Sequence, residues 1–167
     1  VRELIKKSIE LDNNLLSAKL LMSNTYYRMG DYSKAIEINT NTLKQAEKLN
    51  NRMIKGEALC NNGIIFENKC DYAMALDSQT RSLNIRYEIG DTRGIGLSLF
   101  MIGKIYYRKG QFDIALEYYN NSYEILKEIG DKSGLGSIFG HFGDIFCAQG
   151  EYDKALEYHQ KTLKICE

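Results

Sequence analysis

"GKIYYRKGQFDIALEYY", residues 103–119, decides the fold because the chain returns to it. "SNTYYRMGDYSKAIEIN" (23–39), "GIIFENKCDYAMALDSQ" (63–79) and "GDIFCAQGEYDKALEYH" (143–159) align with it at a constant step of 40 residues. Self-similarity at a fixed period of this size marks a stack of repeated supersecondary units. One column is small (Ser23, Gly63, Gly103, Gly143) and one is always alanine (Ala35, Ala75, Ala115, Ala155). Two more are aromatic: Tyr26, Phe66, Tyr106 and Phe146, then Tyr32, Tyr72, Phe112 and Tyr152.

Within each unit the apolar period is helical. Leu99, Ile102, Gly103 and Tyr106 recur at intervals of three and four, as do Phe112, Ala115, Leu116, Tyr119 and Tyr123, which puts each set on one helix face. The breaks read "MG-DY", "KC-DY", "KG-QF" and "QG-EY": a residue for a left-handed helix end, then a polar residue to open the next helix. Cys70 stands where the other breaks have glycine, and its Cβ predicts a strained or differently shaped turn. The joins between units, "EIGDTRGIG" (88–96) and "EIGDKSGLG" (128–136), repeat this logic with Gly90, Asp91, Gly130 and Asp131. In "KLNNRMIKG" (48–56) Asn50 and Asn51 can take the same two parts. A mid-helix glycine costs about 1 kcal/mol against alanine, so Gly63, Gly103 and Gly143 imply close helix approach, with the alanine column as the facing surface. Gly94, Gly96, Gly134 and Gly136 are expected to let the first helices sit close to the preceding unit's second helix.

Composition narrows the function classes. The 22 Lys+Arg balance 22 Asp+Glu, which removes the broad cationic field that nucleic acid or an acidic membrane surface requires. No stretch reaches the run of about 18 apolar residues that spans a bilayer, and "VRELIKKSIELD" lacks the features of a secretory leader. Cys60, Cys70, Cys147 and Cys166 form no CxxC pattern and read as reduced thiols of a cytoplasmic protein. The chain opens on Val1 and stops inside a helical pattern, so it reads as a fragment of a larger protein.

These columns resemble the tetratricopeptide repeat, with its small, aromatic, glycine, aromatic and alanine positions on a helix pair. The 40-residue units with "IGDKSGLG" at the joins resemble the long repeats of Pins-type adaptors, kinesin light chains and bacterial signalling proteins. The resemblance implies an all-α fold: a right-handed solenoid of antiparallel helix pairs, first helices lining a concave groove and second helices forming the convex back. A single domain over 1–167 is expected, with a half repeat at 1–14 and repeats at about 15–50, 51–90, 91–130 and 131–167. First helices are expected near 15–29, 51–69, 92–109 and 132–149. Second helices are expected near 32–49, 72–89, 112–129 and 152–167, after an orphan helix at 2–11 and a junction "SIELDNN" at 8–14. No carboxy-terminal cap is evident, so Leu156, Leu163 and Ile165 should partly face solvent, and the uncapped ends invite self-association.

In this family, ligand contacts come from first-helix residues beside the small column, often from asparagine, whose amide both donates and accepts. Column by column the resemblance assigns Asn24, Tyr27 and Arg28 in the first unit and Asn61, Ile64 and Asn68 in the second. It assigns Phe100, Met101, Lys104, Tyr107 and Arg108 in the third, and His141, Asp144 and Cys147 in the fourth. A clamp for a terminal carboxylate is not expected: Asn24 and Asn61 fit it, but Leu20, Leu97 and Met101 replace its cations. Only "CNNG" (60–63) approaches the paired asparagines of long-repeat members, while "FMIG" (100–103) favours an apolar contact flanked by Lys104 and Arg108, suited to a hydrophobic and acidic segment.

Chemistry is not expected. "GIGLSLFMIGK" (94–104) lies in a helical pattern with no preceding strand and fits neither phosphate-loop spacing. His141 and Cys147 are six apart and His159 and Cys166 seven apart, not the three or four that sets two ligands on adjacent turns of one helix face, so no metal or other cofactor is expected. His159 shares a column with Tyr119 and reads as a packing residue. No nucleophile–base constellation or split carboxylate pair is visible. The expected function is a non-enzymatic interaction scaffold binding a peptide or protein partner, with a regulatory, sensor or self-assembly module of a signalling protein as the alternative.

Overall fold

The computed structural model describes residues 2–166, and of residues 2–10 and Cys166 the backbone alone. Eight α-helices fill it: α1 (Arg2–Arg28), α2 (Tyr32–Lys48), α3 (Arg52–Asn68), α4 (Tyr72–Ile89), α5 (Thr92–Arg108), α6 (Phe112–Glu128), α7 (Lys132–Ala148) and α8 (Tyr152–Cys166). Among the described residues there is no strand, and the fold is an all-α helical-repeat solenoid. Two compact units form, one up to Ile89 and one from Gly90 onward.

The turns explain the repeat length. Left-handed backbone occurs at Gly30, Asn50, Cys70, Gly90, Gly110, Gly130 and Gly150, one residue in every twenty. At six of these turns the next residue's N–H reaches back to a carbonyl five before it, as Asp31 does to Tyr26 (2.9 Å) and Glu151 to Phe146 (2.8 Å). This closure satisfies helix-end carbonyls and places the first aromatic column at the base of every hairpin turn. The following residue caps the next helix: carboxylates of Asp31, Asp71, Asp91 and Asp131 accept from backbone N–H groups three residues on. Asn50 and Asn51 fill the glycine and cap roles as expected, with φ 50° at Asn50 and the Ile54 N–H donating to Asn51 (3.0 Å). Gln111 departs from the expectation and makes no side-chain cap; its extra methylene sets the amide too far out to fold back. Cys70 takes the left-handed conformation despite its Cβ, at φ 61°.

One expected boundary is overturned. The separate helix at 2–11 and the junction at 8–14 give way to a single 27-residue α1. "SIELDNN" contains no glycine, and no residue there adopts positive φ. Ser17 Oγ donates to the Asn13 carbonyl (3.2 Å) across the expected break.

In the first unit, Leu16, Leu20, Ala46, Ile54 and Ala58 form the apolar core. Buried polar side chains fill the rest. Ser23 Oγ donates to the Ala35 carbonyl (3.0 Å), Asn39 Nδ2 to Asn62 Oδ1 (2.9 Å), Gln79 Nε2 to the Cys60 carbonyl (3.1 Å) and Ser82 Oγ to the Gly56 carbonyl (2.8 Å). In the second unit, Phe100, Ala115, Tyr119, Leu126, Ile138, Phe142 and Ile145 form one continuous cluster.

The glycine column does approach the alanine column: a Cβ on Gly103 would lie 3.2 Å from the Ala115 carbonyl oxygen. Its space, however, is taken by the residue four beyond the alanine. The nearest atoms are Gln79 Nε2 at 2.6 Å for Gly63, the Tyr119 ring at 2.7 Å for Gly103 and the His159 ring at 2.5 Å for Gly143. Of the join glycines, Gly134 meets Leu126 of the preceding second helix, as expected, at 2.6 Å. Gly96 instead meets the same Leu126 from α5, inside its own hairpin, and Gly136 faces Ile165 of α8. Leu126 is thereby clasped between two glycines.

Candidate functional site

The first-helix residues beside the small column form a candidate binding surface in each unit. In the first, Asn24 and Arg28 of α1 are exposed and Tyr27 half-buried; on α3, Asn61 and Ile64 are half-buried and Asn68 exposed. Asn68 Nδ2 donates to Tyr27 Oη (3.0 Å) and to the Ile64 carbonyl (2.8 Å), so three of the six residues meet in one network. Tyr27 also stacks on Tyr32 at 5.9 Å. The side chains of Asn24 and Asn61 form no hydrogen bond with any described residue, which leaves their amides available to a ligand. The neighbouring Asn62 is committed inward, to Asn39.

In the second unit, Phe100 is buried and belongs to the floor beneath the surface. Its ring lies 5.5 Å from Tyr119 and 5.2 Å from His141. Met101, Lys104 and Tyr107 are half-buried and Arg108 exposed on α5, while α7 offers half-buried His141 and Asp144 and exposed Cys147. The His141 ring is held by Tyr107 at 5.9 Å and by Tyr119, nearly parallel, at 5.5 Å. Its Nδ1 is 3.5 Å from Asp144 Oδ2, and His159 Nε2 is 4.0 Å from the other carboxylate oxygen. The chain's two histidines therefore flank one carboxylate. His159, read from the sequence as a packing residue, does pack on Gly143. Its place beside Asp144 was hidden in the sequence by fourteen intervening residues and a helix turn.

An open groove of about 590 Å³ continues along α7 and α8, lined by Ser133, Ser137, Gly140, His141, Asp144 and Thr162 among others. Among the described residues no group of three or more His, Cys, Asp or Glu side chains is arranged to hold a metal ion. Cys60, Cys70 and Cys147 are free thiols; burial pushes the Cys60 thiol upward, keeping it protonated and a poor nucleophile at neutral pH. The surface thus offers amides, charges, rings and one thioether for recognition.

The Tetratricopeptide repeat family model matches residues 95–167. Among curated proteins, none matches the chain in sequence. Solved structures share its fold at low identity. BtubC (BKLC) from P. vanneervenii is 16% identical with a TM-score of 0.78, over 96% of this chain and 70% of that one. A Rap protein complexed with Competence and Sporulation Factor is 16% identical with a TM-score of 0.83, over 91% of this chain and 43% of that one. The Rap conjugation gene regulator of plasmid pLS20, in complex with the Phr* peptide, is 17% identical with a TM-score of 0.78, over 87% and 41%. The chain spans less than half the length of either Rap protein. No described helix is long and apolar enough to cross a membrane. Residues 95–167 thus match the tetratricopeptide repeat family, the earlier hairpins carry the same columns, and the chain shares the helical-repeat fold of these structures.

Proposed function

We propose that the chain is a non-catalytic interaction scaffold that binds a peptide segment or a partner protein on its first-helix surfaces. The observation that carries this reading is what the first helices leave accessible: α3, α5 and α7 bury more residues than the helices that follow them, yet beside the small column α1, α3, α5 and α7 keep Asn24, Arg28, Asn61, Met101, Lys104 and Asp144 at an accessible face. Two structures of the same fold hold, by their descriptions, Competence and Sporulation Factor and the Phr* peptide. A preformed helical surface loses little conformational entropy on binding, so modest contacts suffice for affinity.

The first-unit surface suits main-chain amides of an extended segment, through Asn24 and Asn61. The second suits a hydrophobic and acidic segment, through Met101, Lys104 and Arg108. The balanced charge of the chain argues against nucleic acid and acidic membrane surfaces as partners, and its unpaired thiols favour a reducing, cytoplasmic setting.

The test is selection of peptides from a random display library on the purified chain, then titration against variants. Asn61→Ala in the first unit, or Lys104→Ala with Arg108→Ala in the second, should weaken a selected peptide about tenfold or more, corresponding to about 1.4 kcal/mol, with thermal unfolding unchanged. Affinity indifferent to both variants would move the site off these faces.

A further inference from the structure

The chain's two histidines come together on one carboxylate. His141 Nδ1 lies 3.5 Å from Asp144 Oδ2, and His159 Nε2 lies 4.0 Å from Asp144 Oδ1. His141 takes this place from inside the unit: α7 seats its ring against Phe100 and Tyr107 of α5, at 5.2 and 5.9 Å, and against Tyr119 of α6 at 5.5 Å. His159 is delivered by the hairpin, where its ring packs on Gly143 beside Asp144. Helix packing thus fixes both imidazoles around the carboxylate, whereas Asp144 itself is 45% exposed at the second-unit surface.

Charge around this trio is otherwise of one sign. Asp144 is the only carboxylate among the residues of that surface; α5 adds Lys104, Tyr107 and Arg108, α6 the ring of Tyr119, and α7 Lys132, which lines a groove with His141 and Asp144. An imidazole changes charge between about pH 5 and 8. With both imidazoles neutral the trio carries the single negative charge of Asp144, and with both protonated it carries a single positive one. A glutamate on a ligand stays ionised through this range, since its ordinary titration lies near about pH 4. Acidification therefore replaces repulsion by attraction at the one point of the surface that opposes an acidic segment, and it reinforces Lys104 and Arg108.

We propose that the trio His141, Asp144 and His159 makes the second-unit surface a proton-dependent receptor for an acidic segment, which it holds in mild acid and releases as pH rises through the histidine range. This inference rests on the reading of that surface as a binding face and adds what regulates it.

A peptide display library restricted to Leu, Ser, Gly and Glu, panned on the folded chain at about pH 5.5, supplies the probe. A recovered peptide that Lys104→Ala with Arg108→Ala weakens is then titrated by fluorescence anisotropy at low ionic strength, where charge effects are least screened. The chain should bind it about five- to tenfold more tightly at about pH 5.5 than at about pH 7.5. Asp144→Asn should tighten binding at the higher pH, and His141→Gln with His159→Gln should bring the ratio between the two pH values close to one. Circular dichroism at both pH values checks folding; should the double variant not fold, His159→Gln alone should lower the ratio to about two- to threefold. A library that yields no such peptide overturns the binding surface and this inference with it. Equal affinity at both pH values, a pH gain that survives loss of the imidazoles, or an Asp144→Asn variant that binds no more tightly overturns the inference and leaves the surface standing.

Discussion

The two units share one backbone plan and fill it with opposite chemistry. The residue that occupies the glycine's space is Gln79 in the first unit and Tyr119 in the second, on the same column. Around it the first unit buries Asn39, Asn62 and Gln79, whereas the second buries Phe100, Tyr119 and Phe142; a buried serine bonded to a first-helix carbonyl, Ser82 or Ser122, is common to both. A hydrogen bond contributes about 0.5–1.5 kcal/mol net, and Asn39 Oδ1 and Gln79 Oε1 find no hydrogen-bond partner among the described residues. An aromatic ring removes far more apolar area from water and adds ring–ring attraction. Turn chemistry and the small column thus set where helices run, while the content of one column sets how strongly a hairpin holds. The accessible faces differ in the same sense, amide-rich in the first unit and charged and aromatic in the second.

The comparison breaks most visibly at that column. Tyr119→Ala should cost about 3–5 kcal/mol, read as a lower midpoint in urea unfolding, whereas Gln79→Ala should cost about 1–3 kcal/mol. Equal losses would erase the distinction. Next come the glycines. Gly103→Ala would drive a Cβ into the Tyr119 ring and the Ala115 carbonyl and should cost about 1–3 kcal/mol. Gly63→Ala meets a flexible amide side chain, and the roughly 1 kcal/mol gain in helix propensity should offset much of its cost. Ala115→Leu tests the same approach from the other side, with an expected loss of about 1–3 kcal/mol.

Smaller effects sharpen the turns. Cys70→Gly should stabilise the first unit by up to about 1 kcal/mol, since a left-handed backbone carries a penalty that glycine lacks. Asn50→Gly should gain less, because asparagine tolerates that region better. At the cap column the units differ in titration. Asp131 accepts from the Gly134 N–H and pairs with Arg93, and both hold its carboxyl below the ordinary carboxylate range, whereas Asn51 cannot ionise. The unfolded chain takes up a proton there more readily than the folded one. This contribution is therefore complete above about pH 4 and is lost as pH falls through the lower folded value. Urea unfolding of Asp131→Asn across the acid range should lack that component.

Much of this plan was legible in the sequence for a physical reason: turns and close approaches tolerate few residue types. Asn50 with Asn51, and Cys70 at a glycine position, could be read because left-handed backbone and helix caps leave narrow chemical choices. The failures have equally local causes. The break expected in α1 rested on spacing alone, and without a left-handed residue nothing stops the helix. Helical period showed which face the glycines lie on, not whether alanine or the residue four beyond it fills the gap. Phe100, chosen as a surface residue beside the small column, is buried because α7 folds over it with His141. Which of two helix-face neighbours becomes floor and which becomes surface depends on the next hairpin.

The central claim, that first helices present the binding face, is tested most directly by amide chemical-shift mapping with a selected peptide. Perturbations confined to residues around Asn24 and Asn61 on α1 and α3, or around Lys104 and Asp144 on α5 and α7, are predicted. Perturbations centred on the outer faces of α2, α4, α6 or α8 would contradict it.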